Sequence, residues 1–552
     1  MDVRGLRITL SLCASIVLGL AAAAPAQAAF GMTIDNADPV STEAGANSDF
    51  NLKISFSGLS NTESVRDLTV HLPPGLVGDP TSTPLCSEVQ LNADACPDAS
   101  KIGSTTTSAV LIAVPLTIPG EVFNVQPRTG EPARLGIVLT PPVGAKVILQ
   151  SAAALRPTDF GLDTILEGIP NTADGLPLRI SGIELTLDGA FMRNPTSCGT
   201  KTTTADATSY ASTTATGSNT FESVNCTALP FSPEFTGNLG SPGHTAQFTK
   251  PAQTTVISQD DGEAGLRRAQ VKLPADVGGD NPYLSNTCPP ANFVAHTCPD
   301  ASIVGQATAE SPLQEEALEG PMALVHNPGG LPLLGLDLEG ALALQLYGNL
   351  VVSLNGEGEL ETMVLFNGLP DIPISRFELT LVEDRLNIVG RDLCQPPPFF
   401  YTTTFTSFAD EVQTGDVQAT IDGCPPPVVD PTASLKLNKA TSSNPRLRVK
   451  VTQGSAFVDE ATVKAPPEVN FRDGKYTAKA DGAPVPESAI QVSRKEITVA
   501  AAPDTEELRI RAGGGGVHVK HSVVPGAELA FSVDVTDLDA NHFSLPTPVI
   551  AN

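Results

Sequence analysis

Apolar and polar residues alternate strictly over short stretches along most of this chain. Phe50, Leu52, Ile54 and Phe56 alternate in FNLKISF, and Leu68, Val70 and Leu72 do so in LTVHL. The pattern returns at Ile183, Leu185 and Leu187, and at Phe377, Leu379 and Leu381. Near the C-terminus it recurs at Leu447, Val449 and Val451, then at Leu529, Phe531, Val533 and Val535. Successive side chains of a strand point to opposite faces, so period-two alternation marks strands with one buried face. No stretch carries the spacing of a long amphipathic helix. The apolar run Ala341–Gly356, ALALQLYGNLVVSLNG, alternates and is interrupted by Gly and Asn, which predicts paired strands, and its polar flanks do not suit a bilayer span. The 47 Gly and 48 Pro follow no fixed period, as expected of many turns between short strands. The predicted fold class is all-β, built of tandem Ig-like β-sandwich modules in which alternate residues of two sheets fill one core.

The pattern is also written twice. ACPDASKIGS (Ala95–Ser104) returns as TCPDASIVGQ (Thr297–Gln306), and VRDLTVHLPPGLVGDP (Val65–Pro80) as LRRAQVKLPADVGGDNP (Leu266–Pro282). EGIPNTADGLPLRISGIELTL (Glu167–Leu187) matches NGLPDIPISRFELTL (Asn367–Leu381), and between these blocks Pro115 and Gly120 correspond to Pro312 and Gly320. An offset that stays near 200 residues and drifts slightly describes a duplicated module with loops of unequal length. The cysteines repeat with it. Cys86 and Cys96 have nine residues between them, as do Cys288 and Cys298, and Cys198 with Cys226 matches Cys394 with Cys424. An even set in an exported chain reads as a disulfide framework, and local pairing is preferred: 86–96, 198–226, 288–298 and 394–424. These spacings fit no zinc pattern, so no metal ligand is assigned.

Arg4 and Arg7 precede an apolar stretch from Leu10 to about Ala24, and Ala26-Gln27-Ala28 is a small-x-small cleavage site, so residues 1–28 read as a signal peptide. Cys13 would leave with it. The resulting domain plan is a signal peptide at 1–28, copy 1 at 29–230, copy 2 at 231–428 and a cysteine-free β-sandwich at 429–552, after the proline-rich joint CPPPVVDP. Each copy is long enough for two sub-sandwiches, one carrying the close cysteine pair and one the wide pair. The formal charge of −28 becomes −29 once Asp2, Arg4 and Arg7 are removed, and no basic cluster offsets it, which excludes nucleic acid as a partner.

The blocks LPPGLVGDP, CPDASKIGS, RNPTSC (Arg193–Cys198) and GLPDIPISRFELTL resemble a group of large secreted repeat proteins of soil actinobacteria, over roughly residues 40–425. The resemblance implies an exported tandem β-domain protein and transfers no catalytic residue. No nucleophile elbow is present; GLSNT (Gly58–Thr62) and LGSPGH (Leu239–His244) fall short of it. His518 and His521 would face opposite sides of a strand, and the GGGG at Gly513–Gly516 lacks a following helix and Lys for a phosphate loop. The acidic groups DDGE (Asp260–Glu263), EGELE (Glu357–Glu361) and DLDAN (Asp537–Asn541) are calcium candidates, although the last lacks the Gly and Glu of an EF-hand loop. With no Trp and five Tyr, sugar stacking is disfavoured. The expected protein is non-enzymatic, secreted or held at the cell surface, structural or adhesive, with envelope or extracellular protein or glycan partners and no transmembrane anchor. No catalytic residue and no obligate cofactor are assigned. An exported hydrolase with a loop-borne site and a calcium-dependent binding module are the alternatives.

Overall fold

The computed structural model describes residues 29–142, 144–354, 360–424, 429–513 and 515–552. The signal-peptide reading, the prolines after Cys424, Gly514 and Glu357–Glu359 lie outside them. The chain is all-β and falls into two compact units divided between Cys424 and Pro425.

The first unit holds two 12-stranded sheets. In copy 1 the strands run, neighbour to neighbour, Gly31–Pro39, Phe50–Ser57, Leu176–Leu187, Lys101–Leu111, Val114–Val125, Arg134–Leu139, Val147–Leu155, Leu162–Leu166, Val65–His71, Gly199–Ser209 and Thr214–Ser223, with the two-residue Thr172–Ala173 paired onto Leu176–Leu187 as the twelfth. In copy 2 the order is Glu234–Leu239, Gln253–Ser258, Arg376–Leu381, Ile303–Glu310, Leu318–Val325, Leu333–Leu338, Leu344–Leu354, Leu360–Asn367, Leu266–Lys272, Phe400–Ser407 and Val412–Gln418, with the two-residue Thr420–Ile421 beside Glu234–Leu239 as the twelfth. Position by position the two orders are the same, so the tandem repeat in sequence is a tandem repeat in topology. Both sheets curl until their ends meet: Asn219 Nδ2 donates to Ile34 O at 3.2 Å in copy 1, and Thr420–Ile421 pairs with Asn238–Leu239 in copy 2. Each copy is therefore one continuous sheet around one interior, and not two sub-sandwiches. The wide cysteine pair flanks the last hairpin of that sheet, while the close pair sits on a small knob outside it.

Two local readings change. Ala341–Gly356 is not a pair of strands: its central part is one strand, Leu344–Leu354, lying between Leu333–Leu338 and Leu360–Asn367. Each close cysteine pair also encloses a one-turn helix, Glu88–Asn92 in copy 1 and Pro290–Val294 in copy 2, too short to leave a periodic signature. The first is closed by a capping box between Ser87 and Gln90. Its buried Leu91 packs with Cys86, Phe123, Val125 and Val138; Phe293 does the same with Cys288, Ala323 and Val325.

The second unit is a sandwich of two five-stranded sheets. Its alternating residues point inward as the pattern requires: Val451 and Val533 are wholly buried, and Leu447, Leu529 and Phe531 nearly so. At roughly 25 cal/mol per Å² of apolar area removed from water, such columns supply most of the driving force for folding.

Candidate functional site

The structure brings the eight cysteines together as Cys86–Cys96, Cys198–Cys226, Cys288–Cys298 and Cys394–Cys424, with Cα separations of 5.3, 5.6, 5.2 and 5.6 Å, inside the range a disulfide spans.

Three stretches far apart in sequence meet where copy 1 touches copy 2. Asp371 of copy 2, in the segment before the strand Arg376–Leu381, is 6% exposed. Its carboxylate accepts the backbone N–H groups of Thr196 at 3.1 Å and Ser197 at 3.2 Å. It also accepts both hydroxyls, that of Ser197 at 2.9 Å. The N–H of Gly265 then donates to Thr196 Oγ1 at 3.0 Å, and Lys201 Nζ donates to Ser197 Oγ at 2.6 Å. Burial pushes the Asp371 carboxyl above the usual carboxylate range, against the pull of the Thr196 and Ser197 donors and the Lys201 charge. Burial likewise lowers the Lys201 ammonium. Gly75, with φ +85°, completes the socket: a Cβ there would fall 2.7 Å from Asp371 Oδ2 and 2.8 Å from Pro195 Cβ. Arg193 pairs with Asp261 at 2.7 Å across the same junction, and Leu155, Phe160 and Leu229 of copy 1 pack on the core of copy 2. Asp371 is surrounded by donors of the other copy, an arrangement that fastens rather than reacts. Gly75 and Asp371 stand in the repeated blocks and Thr196 and Ser197 in RNPTSC; an acid in a block whose copy-1 counterpart is Asn171 was the signal available in the chain.

Two titratable clusters lie elsewhere. His71 Nδ1 is 2.7 Å from Asp163 and its Nε2 3.1 Å from Asp206, with Arg156 also 2.6 Å from Asp163. Burial opposes the His71 charge, but the two carboxylates outweigh it and raise its pKa above the ordinary histidine value. His296, Asp337 and Glu339 bring ligand-type atoms within 4.8 Å of one another, the one such group among the described residues. His296 Nδ1 is 2.8 Å from Asp337 and 3.2 Å from Glu339, and Gln345 Nε2 donates to Asp337 at 2.9 Å. These residues could hold a divalent cation of the kind that accepts imidazole and carboxylate. In copy 1 the matching positions are Asp94, Val138, Thr140 and Ile148.

The other sequence candidates are placed as follows. His518 and His521 stand with ring centroids 6.4 Å apart, and desolvation with nearby Arg472 and His521 holds His518 below the usual histidine value. Asp537 accepts both Asn541 N at 2.9 Å and Asn541 Nδ2 at 3.0 Å, closing DLDAN on itself. In DDGE, Asp261 is taken by Arg193 and Glu263 by Ser232. Of EGELE, Glu361 pairs with Lys272. Ser60 of GLSNT caps its own turn through Glu63 N, and Ser241 of LGSPGH donates to Glu383 at 2.7 Å, with no histidine as its base. A strand, Val517–Val519, follows the glycine run. No described helix is long and apolar enough to cross a membrane.

No family model and no curated protein matches the chain. Among solved structures it is similar to BcpA, the major pilin subunit of Bacillus cereus, at 13% identity and TM-score 0.19, over 37% of this chain and 64% of that one. The chain thus spans under two thirds of that pilin. A tetra-tandem repeat from the extending region of a large adhesion protein matches at 10% identity and TM-score 0.15, over 95% of this chain and 100% of the other. The collagen binding domain of the Erysipelothrix rhusiopathiae surface protein RspB matches at 10% identity and TM-score 0.17, over 57% and 94%. At such scores the likeness carries no functional weight.

Proposed function

We propose that the protein is an exported, non-enzymatic structural or adhesive element, with residues 1–28 removed and domains at 29–230, 231–428 and 429–552. The junction at Asp371 carries this reading. It ties two copies of one β-module together through at least four hydrogen bonds to a single buried carboxylate, so the pair holds its loops at a fixed separation. Four local disulfides support an oxidising compartment. The mechanism is presentation: stiff modules hold loops out towards an envelope or extracellular protein or glycan. Fractionation of producing cells tests the proposal, with the processed chain expected in the medium or on the envelope. Retention of an unprocessed, reduced chain in the cytosol overturns it, as does turnover of ester or peptide substrates by the pure protein.

A further inference from the structure

The two copies share a topology but not an interior. In copy 1 the second strand of the sheet turns Phe50, Leu52, Ile54 and Phe56 inward, at 2, 7, 1 and 6% exposure. This strand pairs with Leu176–Leu187, setting Phe50 opposite Leu187, Leu52 opposite Leu185 and Ile54 opposite Ile183. In copy 2 the matching strand pairs in the same register, with Gln253 opposite Leu381, Thr255 opposite Leu379 and Ile257 opposite Phe377. The inward column Phe-Leu-Ile-Phe of copy 1 is therefore Gln253, Thr255, Ile257 and Gln259 in copy 2. Two phenyl rings and a leucine are replaced by slimmer or more polar groups.

All four residues line a cavity of about 850 Å³ inside copy 2. The rest of its wall is mostly carbon, from strands all round the sheet: Val271, Leu334, Leu346, Phe366 and Leu379 among them. Protein interiors are otherwise packed like organic crystals, so space of this size with a largely apolar wall marks a preformed binding cavity. The volume lies within the range of cavities that enclose small apolar ligands. Besides Thr255 and Gln259, polar groups gather in two places. Gln253 and Asn387 form a buried amide pair, 3.0 Å apart. Charges gather near the turn that follows Lys272, where Lys272 pairs with Glu361 and Arg391 with Asp276 at 3.2 Å. Leu273 N bonded to Thr362 O at 2.8 Å ties that rim together.

We infer that copy 2 is a binding module for an amphiphile with one long hydrocarbon chain, the chain filling the room that the Gln253–Gln259 column leaves, against the carbon wall of Val271, Leu334, Leu346 and Phe366, and the polar end at the Lys272–Arg391 rim. Copy 1, with its column of large side chains, is the non-binding partner. The inference goes beyond the structural role proposed above and does not depend on it.

Titration of the full mature chain with cis-parinaric acid tests this directly, since the polyene fluoresces on leaving water. Saturable enhancement with one probe per chain is expected. Transplanting the copy 1 column, as Q253F, T255L and Q259F together, should weaken binding at least about tenfold in a variant that still melts cooperatively. Unchanged binding in a folded triple variant would place the probe elsewhere and overturn the inference. Should that variant fail to fold, the native chain decides alone. Displacement of the probe by saturated fatty acids of increasing length should tighten by up to roughly fourfold per methylene and level off once the interior is full. No saturable binding, or affinity indifferent to chain length, overturns the inference.

Discussion

Gly75 and Asp371 are separated by most of two modules in sequence and by less than a side chain in space. Any Cβ at Gly75 meets the Asp371 carboxylate, and the backbone there already has a left-handed φ that side-chain-bearing residues rarely adopt. At His71 the chemistry is electrostatic. Its folded pKa is raised above the unfolded value, so its stabilising effect is complete below the ordinary histidine pKa and is lost as pH rises through the folded one. The expected outcome is that wild type exceeds His71→Gln in melting temperature at mildly acidic pH and that the gap narrows as pH rises past neutrality. A gap independent of pH would mean that Asp163 and Asp206 do not hold a charged imidazole.

At the level of elements, the two kinds of disulfide have different work. The close pairs hold a one-turn helix on the sheet, an element far below the length at which a helix is stable by itself. The wide pairs clamp the ends of the hairpin that forms the far edge of each sheet, such as Gly199–Ser209 with Thr214–Ser223. Loop-closure entropy ranks them: the 28-residue separation of Cys198–Cys226 corresponds to roughly 3–4 kcal/mol, and the 10-residue separation of Cys86–Cys96 to somewhat less. Denaturant midpoints of the Cys198→Ala/Cys226→Ala and Cys86→Ala/Cys96→Ala variants should fall in that order. The reverse order would show that the knob, with Leu91 and Val138 packed against the sulfurs, is the more deeply integrated of the two.

For the molecule as a whole, the junction decides whether copies 1 and 2 behave as one body. Asp371→Ala would strand the Thr196 and Ser197 donors in a buried place, at a cost of roughly 2–4 kcal/mol. Hydrogen exchange on the full chain should show the amides of Thr196, Ser197 and Gly265 protected like core strands in the wild type and exchanging many-fold faster in the variant. Equal protection in both would mean that apolar packing by Leu155, Phe160 and Leu229 suffices to hold the copies together.

Much of this architecture is legible in the amino-acid sequence alone. Period-two alternation at Phe50–Phe56, Ile183–Leu187 and Leu529–Val535 specified half-buried strands, because a strand's geometry forces one residue in two to one face. The doubled cysteine spacing and the repeated blocks specified a tandem module, since the local contacts they encode travel with the sequence. Closure of each sheet on itself was not legible, because strand order depends on pairings between residues over a hundred positions apart, such as Ser55 with Gly182. Nor was the socket at Asp371, built from two copies at once. The cavity stands between the two. Its cause, the loss of large apolar residues at Gln253, Thr255 and Gln259, is written in the chain, but only the tertiary structure, through the shared register and the common wall, shows that these positions face one cavity.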